Sequence, residues 1–132
     1  MIVLDTHVWV WWLSDPDKIP ARSRKVIAKS AEDAAIYISS ISAWEILLLA
    51  AKVRIQFTMD AQDWVTKAEA LPFFRFLPVD NSIAMRSVRL QDPFHEDPAD
   101  RIIVATAIML GAALVTADTR IRKYPHVQTI WK

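Results

Sequence analysis

Short runs of β-branched and aliphatic residues alternate along this chain with longer stretches whose apolar positions recur at helical spacing. Ile2–Leu4 opens the sequence as a strand apolar on both faces. A helix is predicted over Arg22–Ala31, with Val26 and Ile27 turned inward and Arg22, Arg24, Lys25 and Lys29 outward. Ala35–Ile38 reads as the second strand. Ser42, three residues before Glu45, reads as the cap of a nearly all-apolar helix reaching about Ala51. Weaker signals give a helix over Ala61–Leu71, a strand over Phe76–Val79 and a helix over Ser82–Leu90. Asp97 then caps a helix with Pro98 at its first position, running to Leu110 and stopped by Gly111. Ala113–Thr116 is a strand, Thr119–Lys123 a helical turn and Val127–Ile130 a final strand.

Strands alternating with helices predict one α/β domain over 1–132, a three-layer α/β/α sandwich around a central parallel sheet. Between the first strand and the first of these helices, Val8–Leu13 carries Trp9, Trp11 and Trp12. Those rings either fill the core or form an apolar surface for a second subunit or another partner.

Composition narrows the function classes. The 132 residues hold no cysteine, which excludes a disulfide framework, thiolate metal sites and a cysteine nucleophile. The uncharged run Ile102–Ala117 is shorter than the roughly 20 residues a membrane span needs. Asp5 interrupts the N-terminal apolar stretch, so no signal peptide is read there, and the expected location is the cytoplasm. A single glycine makes nucleotide-cradling loops improbable. The net charge of +1 says nothing by itself, and only the distribution of charge is informative.

That distribution is informative at the strand-to-helix junctions, where open parallel sheets bind ligands. Asp5 follows the first strand and Asp118 follows the Ala113–Thr116 strand. Glu45 and Asp100 each sit in the first turn of a helix. Bland readings exist: Asp118 as a helix cap, Glu45 as the return half of a capping box, and Asp100 as an acid favoured by a helix dipole. Asp5 has the weakest such reading, because a strand end demands no carboxylate. Together, four acids at one sheet edge repel one another unless a hard cation neutralises them. All-oxygen ligation points to Mg²⁺ or Mn²⁺ and to chemistry at a phosphodiester. Thr6 and Thr116 are placed to support the acids by hydrogen bonds. Removing four negative charges from the total leaves a basic remainder, with Arg22, Arg24, Lys25, Arg120 and Arg122 as candidate phosphate contacts or, more plainly, as solvated helix faces. The three histidines, His7, His95 and His126, are far apart and offer no metal-ligand spacing.

Leu4-Asp5-Thr6-His7-Val8-Trp9, Ser42-Ala43-Trp44-Glu45-Ile46, Asp97-Pro98-Ala99-Asp100-Arg101 and Leu114-Val115-Thr116-Ala117-Asp118 resemble, in order, the motif blocks of PIN-domain proteins. The likeness is greatest to VapC-type toxins of bacterial toxin–antitoxin pairs and covers essentially the whole chain. It implies a Mg²⁺- or Mn²⁺-dependent endoribonuclease whose metal is held by Asp5, Glu45, Asp100 and Asp118. It further implies in-line hydrolysis leaving 5′-phosphate and 3′-hydroxyl ends, a homodimer, and inhibition by a small antitoxin covering the active-site groove. Asp97 matches a motif acid of variable role and is left outside the metal set. Ala99 departs from the pattern, standing where an aromatic is common. Two rival readings remain: a PIN domain that only binds, and a receiver-like phosphoacceptor domain using Asp80 with Asp5 and Thr116.

Overall fold

The computed structural model describes residues 1–132. Five strands form one parallel sheet: β1 (Ile2–Leu4), β2 (Ile36–Ser39), β3 (Phe74–Leu77), β4 (Ala113–Val115) and β5 (Thr129–Ile130), in the order β3-β2-β1-β4-β5. The helices are α1 (Thr6–Ser14), α2 (Ala21–Glu32), α3 (Ser40–Ala51), α4 (Ala61–Glu69), α5 (Asn81–Val88), α6 (Pro98–Leu110) and α7 (Thr119–Arg122).

Side chains alternate across the pleat and so build a core on each face. Ile2, Leu4, Ile36, Ile38 and Val115 join Val8, Trp9, Ile27 and Ala68, which places α1, α2 and α4 on one side. Val3 and Leu114, with Tyr37 half-buried beside them, join Ile83, Ile103, Val104 and Ile121, which places α5, α6 and α7 on the other. The expected three-layer sandwich is present. Helix α3 touches both cores, through Ile46 on one and Ile41 on the other.

The sheet order reverses beside β1. The chain leaves β1 into α1 on one face and leaves β4 into α7 on the opposite face, so β1 and β4 flank a topological switch point. The register Leu4↔Val115 brings Asp5 and Thr116 side by side, and the Asp5 N–H donates to the Val115 carbonyl at 3.0 Å.

One capping assignment is corrected, and the Trp-rich segment, left without an element by the sequence, is a helix. Helix α3 begins at Ser40 and is capped by Ser39, whose hydroxyl accepts from the Ile41 N–H at 3.2 Å. Ser42 instead lies buried inside the helix, its hydroxyl 2.8 Å from that of Thr6. The Trp-rich segment is helix α1, in which Trp9 is fully buried against Trp64, Phe74 and Phe76 while Trp11 and Trp12 lie half-buried at the margin.

Gly111 ends α6 in the left-handed region, with φ of 63°, and a Cβ built there meets nothing within 4 Å. Gly111→Ala therefore suffers backbone strain alone, and urea denaturation is expected to show a loss of about 1 kcal/mol. A much larger loss would contradict this account of the turn.

Candidate active site

Asp5, Glu45, Asp100 and Asp118 all line one cavity of about 590 Å³ at the carboxyl edge of the sheet, together with Asp97, His7, Trp11, Arg54 and Arg120. Each acid is delivered by a different junction. Asp5 caps α1, accepting from the Thr6 N–H at 2.8 Å, and its second oxygen accepts from the buried Thr116 hydroxyl at 2.7 Å. Glu45, expected in the first turn of its helix, lies in the second, because α3 starts three residues earlier under the Ser39 cap, and it lines the cavity. Asp97 caps α6 by accepting from the Asp100 N–H at 3.0 Å, which fixes the two acids relative to each other. Asp118 caps α7, accepting from the N–H groups of Arg120 at 2.8 Å and Ile121 at 3.4 Å. The plain capping readings of Asp118 and Asp97 therefore hold, and both residues still open on the cavity.

The two threonines lie where support was expected. Thr116 donates to Asp5 and accepts from the Asp118 N–H at 3.1 Å, linking the acids of β1 and β4 through one hydroxyl. Thr6 sits between acids: its N–H donates to Asp5, its hydroxyl lies 2.8 Å from that of Ser42, and its side chain opposes the upward shift of Glu45. Thr116→Val removes both of its bonds while keeping the side chain's shape. Catalytic activity is expected to fall by roughly 10- to 100-fold, the scale seen when a group that orients a functional carboxylate is lost, with the circular dichroism spectrum unchanged. An unaltered kcat would contradict this role.

Charge crowding appears in the acid strengths. Burial pushes Asp5 above the usual carboxylate range, against the pull of the Thr116 hydroxyl and the Thr6 N–H. Burial raises Glu45 as well, and neighbouring Asp5 and Asp97 add to the effect. Asp100 is pushed up to about 6, first by burial and then by Asp5, Asp97 and Asp118, with the His95 contact opposing. Asp118 goes the other way: its partial burial is outweighed by hydrogen bonds from the Arg120 side chain and the α7 backbone. Arg120 reaches both sides, 3.3 Å from Asp118 and 3.5 Å from Asp100.

One carboxylate oxygen each from Glu45, Asp97 and Asp100 lie within 4.8 Å of one another. Asp97 thus enters the cluster from which sequence reasoning left it out. Burial, and then neighbouring acids, raise the proton affinity of Glu45 and Asp100, and an all-oxygen set of this kind fits a hard divalent cation that would offset the crowded negative charge.

Of the basic residues singled out from the sequence, only Arg120 reaches this cavity. Arg24 and Lys25 line a separate depression beside Trp12, where Arg24 meets Asp17 at 3.3 Å. Arg22 is exposed on the first turn of α2, away from the acids, and Arg122 lines a pocket beyond α7. The structure instead brings in Arg54, His95 and Arg101. His95 Nε2 lies 2.7 Å from Asp100 Oδ2. Arg101 donates to the carbonyls of Ser87, Val88, Phe94 and His95, tying the segment before α6 into place. The position of Arg101 directly after Asp100 was its only sequence signal. Asp80, the acceptor in the phosphoacceptor reading, caps α5 by accepting from the Ile83 N–H at 2.9 Å and does not line the cavity.

Fold and site together define an α/β nuclease of the kind that gathers carboxylates at the switch point of a parallel sheet. A model of the PIN domain matches residues 2–127, and the chain belongs to the PIN domain family. It is 34% identical over 132 residues to Ribonuclease VapC22 of Mycobacterium tuberculosis, an alignment covering 98% of each chain. Its fold is similar to VapBC2 of Rickettsia felis, solved bound to a promoter DNA fragment, with a TM-score of 0.73, 19% identity and 100% of both chains covered. It is also similar to a toxin–antitoxin complex from Klebsiella pneumoniae, with a TM-score of 0.62 and 25% identity over 98% of this chain and 96% of the other.

Proposed function

We propose that residues 1–132 form a single nuclease domain acting in the cytoplasm as the endoribonuclease toxin of a toxin–antitoxin pair. The observation that carries this reading is the convergence of Asp5, Glu45, Asp97, Asp100 and Asp118 on one cavity at the sheet edge. Glu45 and Asp100, which form the close oxygen cluster with Asp97, would hold Mg²⁺ or Mn²⁺ together with Asp5 and Asp118 of the same cavity. When bound, such an ion neutralises charge at a phosphoryl group and supplies an activated water. Thr116 holds the Asp5 carboxylate in one orientation, and Arg101 fixes the loop from which His95 meets Asp100. Arg120, more than half exposed at the rim, meets the phosphate entering the cavity.

The name of the 34%-identical relative and the toxin–antitoxin titles of the structural neighbours support this assignment. Exposed Trp44, Leu47, Val53 and Met59, around a hollow lined by Ile55 and Phe57, support apolar docking of an antitoxin. Exposed Met85, Val88 and Met109 on α5 and α6 support pairing with a second copy.

Purified protein is expected to cleave RNA with Mg²⁺ or Mn²⁺, to lose activity in EDTA, and to leave 5′-phosphate ends. Cleavage that survives EDTA, or products ending in a cyclic phosphate, would overturn the reading.

A further inference from the structure

An acid-lined cavity repels a polyanion, so a nuclease built around one needs positive charge nearby to hold the rest of the strand. Only Arg120 and Arg54 line the cavity as cations, and Arg120 is already engaged by Asp118 and Asp100. On the other side of α7 lies a second hollow of about 370 Å³, lined by Thr119, Arg122, Lys123, Thr129, Trp131 and Lys132. It contains three cationic side chains, two hydroxyl-bearing residues and an indole, and no acidic side chain. Arg122, Lys123 and Lys132 form no ion pair, which leaves all three charges of the hollow available to an anion.

This hollow is a built feature. Ser23, fully buried, pins the Lys132 backbone in both directions: its hydroxyl accepts from the Lys132 N–H at 2.9 Å, and its own N–H donates to the Lys132 carbonyl at 2.9 Å. Trp131 is held beside Trp11, the ring centroids 6.0 Å apart. Trp11 in turn lines the acid cavity, with Lys18 Nζ 5.8 Å from its ring centre. An aromatic bridge therefore runs from the carboxylates to the unpaired cations.

We propose that this surface is a track for single-stranded RNA. The scissile phosphate lies over the acids, flanking bases stack along Trp11 and Trp131, and neighbouring phosphates bind Arg122, Lys123 and Lys132. Stacking on an indole is sequence-tolerant and ammonium–phosphate contact is sequence-blind, so the track supplies affinity and direction. The inference rests on the ribonuclease reading above, and equilibrium binding separates the two because it needs no turnover.

The test measures fluorescence anisotropy of a labelled ten-nucleotide pyrimidine RNA with the full chain in EDTA, at several salt concentrations. The double variant Arg122→Ala/Lys123→Ala is expected to bind at least about tenfold more weakly, with a log–log salt slope shallower by about 1.4 for two lost single-strand phosphate contacts. Trp131→Ala is expected to lose about tenfold, and Trp131→Phe to recover most of it. Unchanged affinity and slope in the double variant overturn the track, while cleavage by the parent protein with Mg²⁺ leaves the ribonuclease reading standing. Unchanged RNA affinity with lost affinity for the antitoxin overturns it too, and marks the surface as a protein-docking site. Absence of both RNA binding and cleavage in the parent protein overturns both.

Discussion

Asp5→Asn and Asp100→Asn are each expected to lower RNA cleavage by on the order of 10²- to 10³-fold or more, the scale seen when a group that stabilises transition-state charge is removed. The asparagine substitution is chosen because it separates chemistry from folding. Asp5 supports the fold with one oxygen that caps α1 and another that accepts from Thr116. An asparagine keeps a capping oxygen, and the Thr116 hydroxyl can turn to accept from its amide. At Asp100, the amide keeps side-chain volume in a site that His95 and Arg120 already border. Thermal melts of the metal-free variants should match or exceed the parent, because each substitution removes a buried negative charge from a crowded group. Variants that fold and still cut RNA at the parental rate would remove both residues from the chemistry.

The second large effect is on stability without metal. Asp100 titrates near 6 in the folded chain against 3.8 in its ordinary state, and Asp5 and Glu45 shift in the same direction. Each therefore binds its proton more tightly when folded. For Asp100 the resulting stabilisation is complete below about pH 4 and is lost as pH rises through about 6. A rise from 3.8 to about 6 makes that loss about 3 kcal/mol. Asp118 is held below its ordinary value, so its smaller contribution is present at neutral pH and disappears on acidification. In EDTA, Tm measured by calorimetry should fall between about pH 5 and pH 7, after any general acid destabilisation is passed. Mn²⁺ should restore it by binding the folded state alone, and the gap between the two curves should widen with pH. A gap that stays flat across that range would mean the carboxylates do not compete between protons and metal.

Much of this architecture was legible in the sequence because its strands are short apolar runs punctuated by caps. Asp97-Pro98 and Gly111 delimited α6 to the residue. β3 runs over Phe74–Leu77 where Phe76–Val79 was expected, a shift of two that keeps Phe76 on the same face. Helix α1 was hidden because Val8, Trp9, Val10, Trp11 and Trp12 are β-branched or aromatic and show no polar stripe at helical spacing. The reading of Ser42 failed because Ser39 offered an equally good capping hydroxyl three residues earlier, and only the end of β2 decides between them.

The acids at the site were legible for a topological reason: a residue directly after a parallel strand has one edge to occupy. Asp97 was set aside because a capping role accounts for it, although capping Asp100 is what brings it within the cluster. The basic residues were harder to place. Helix periodicity says that Arg24 and Lys25 face outward, while the direction each faces depends on how α2 lies across the sheet.

Isothermal calorimetry of the chelator-stripped protein with Mn²⁺, run beside Asp5→Asn and Asp100→Asn, tests the carboxylate centre most directly. Saturable binding of at least one ion per chain, weakened tenfold or more in both variants, is the expected result. No binding heat in the parent protein, or equal affinity in all three, would contradict it.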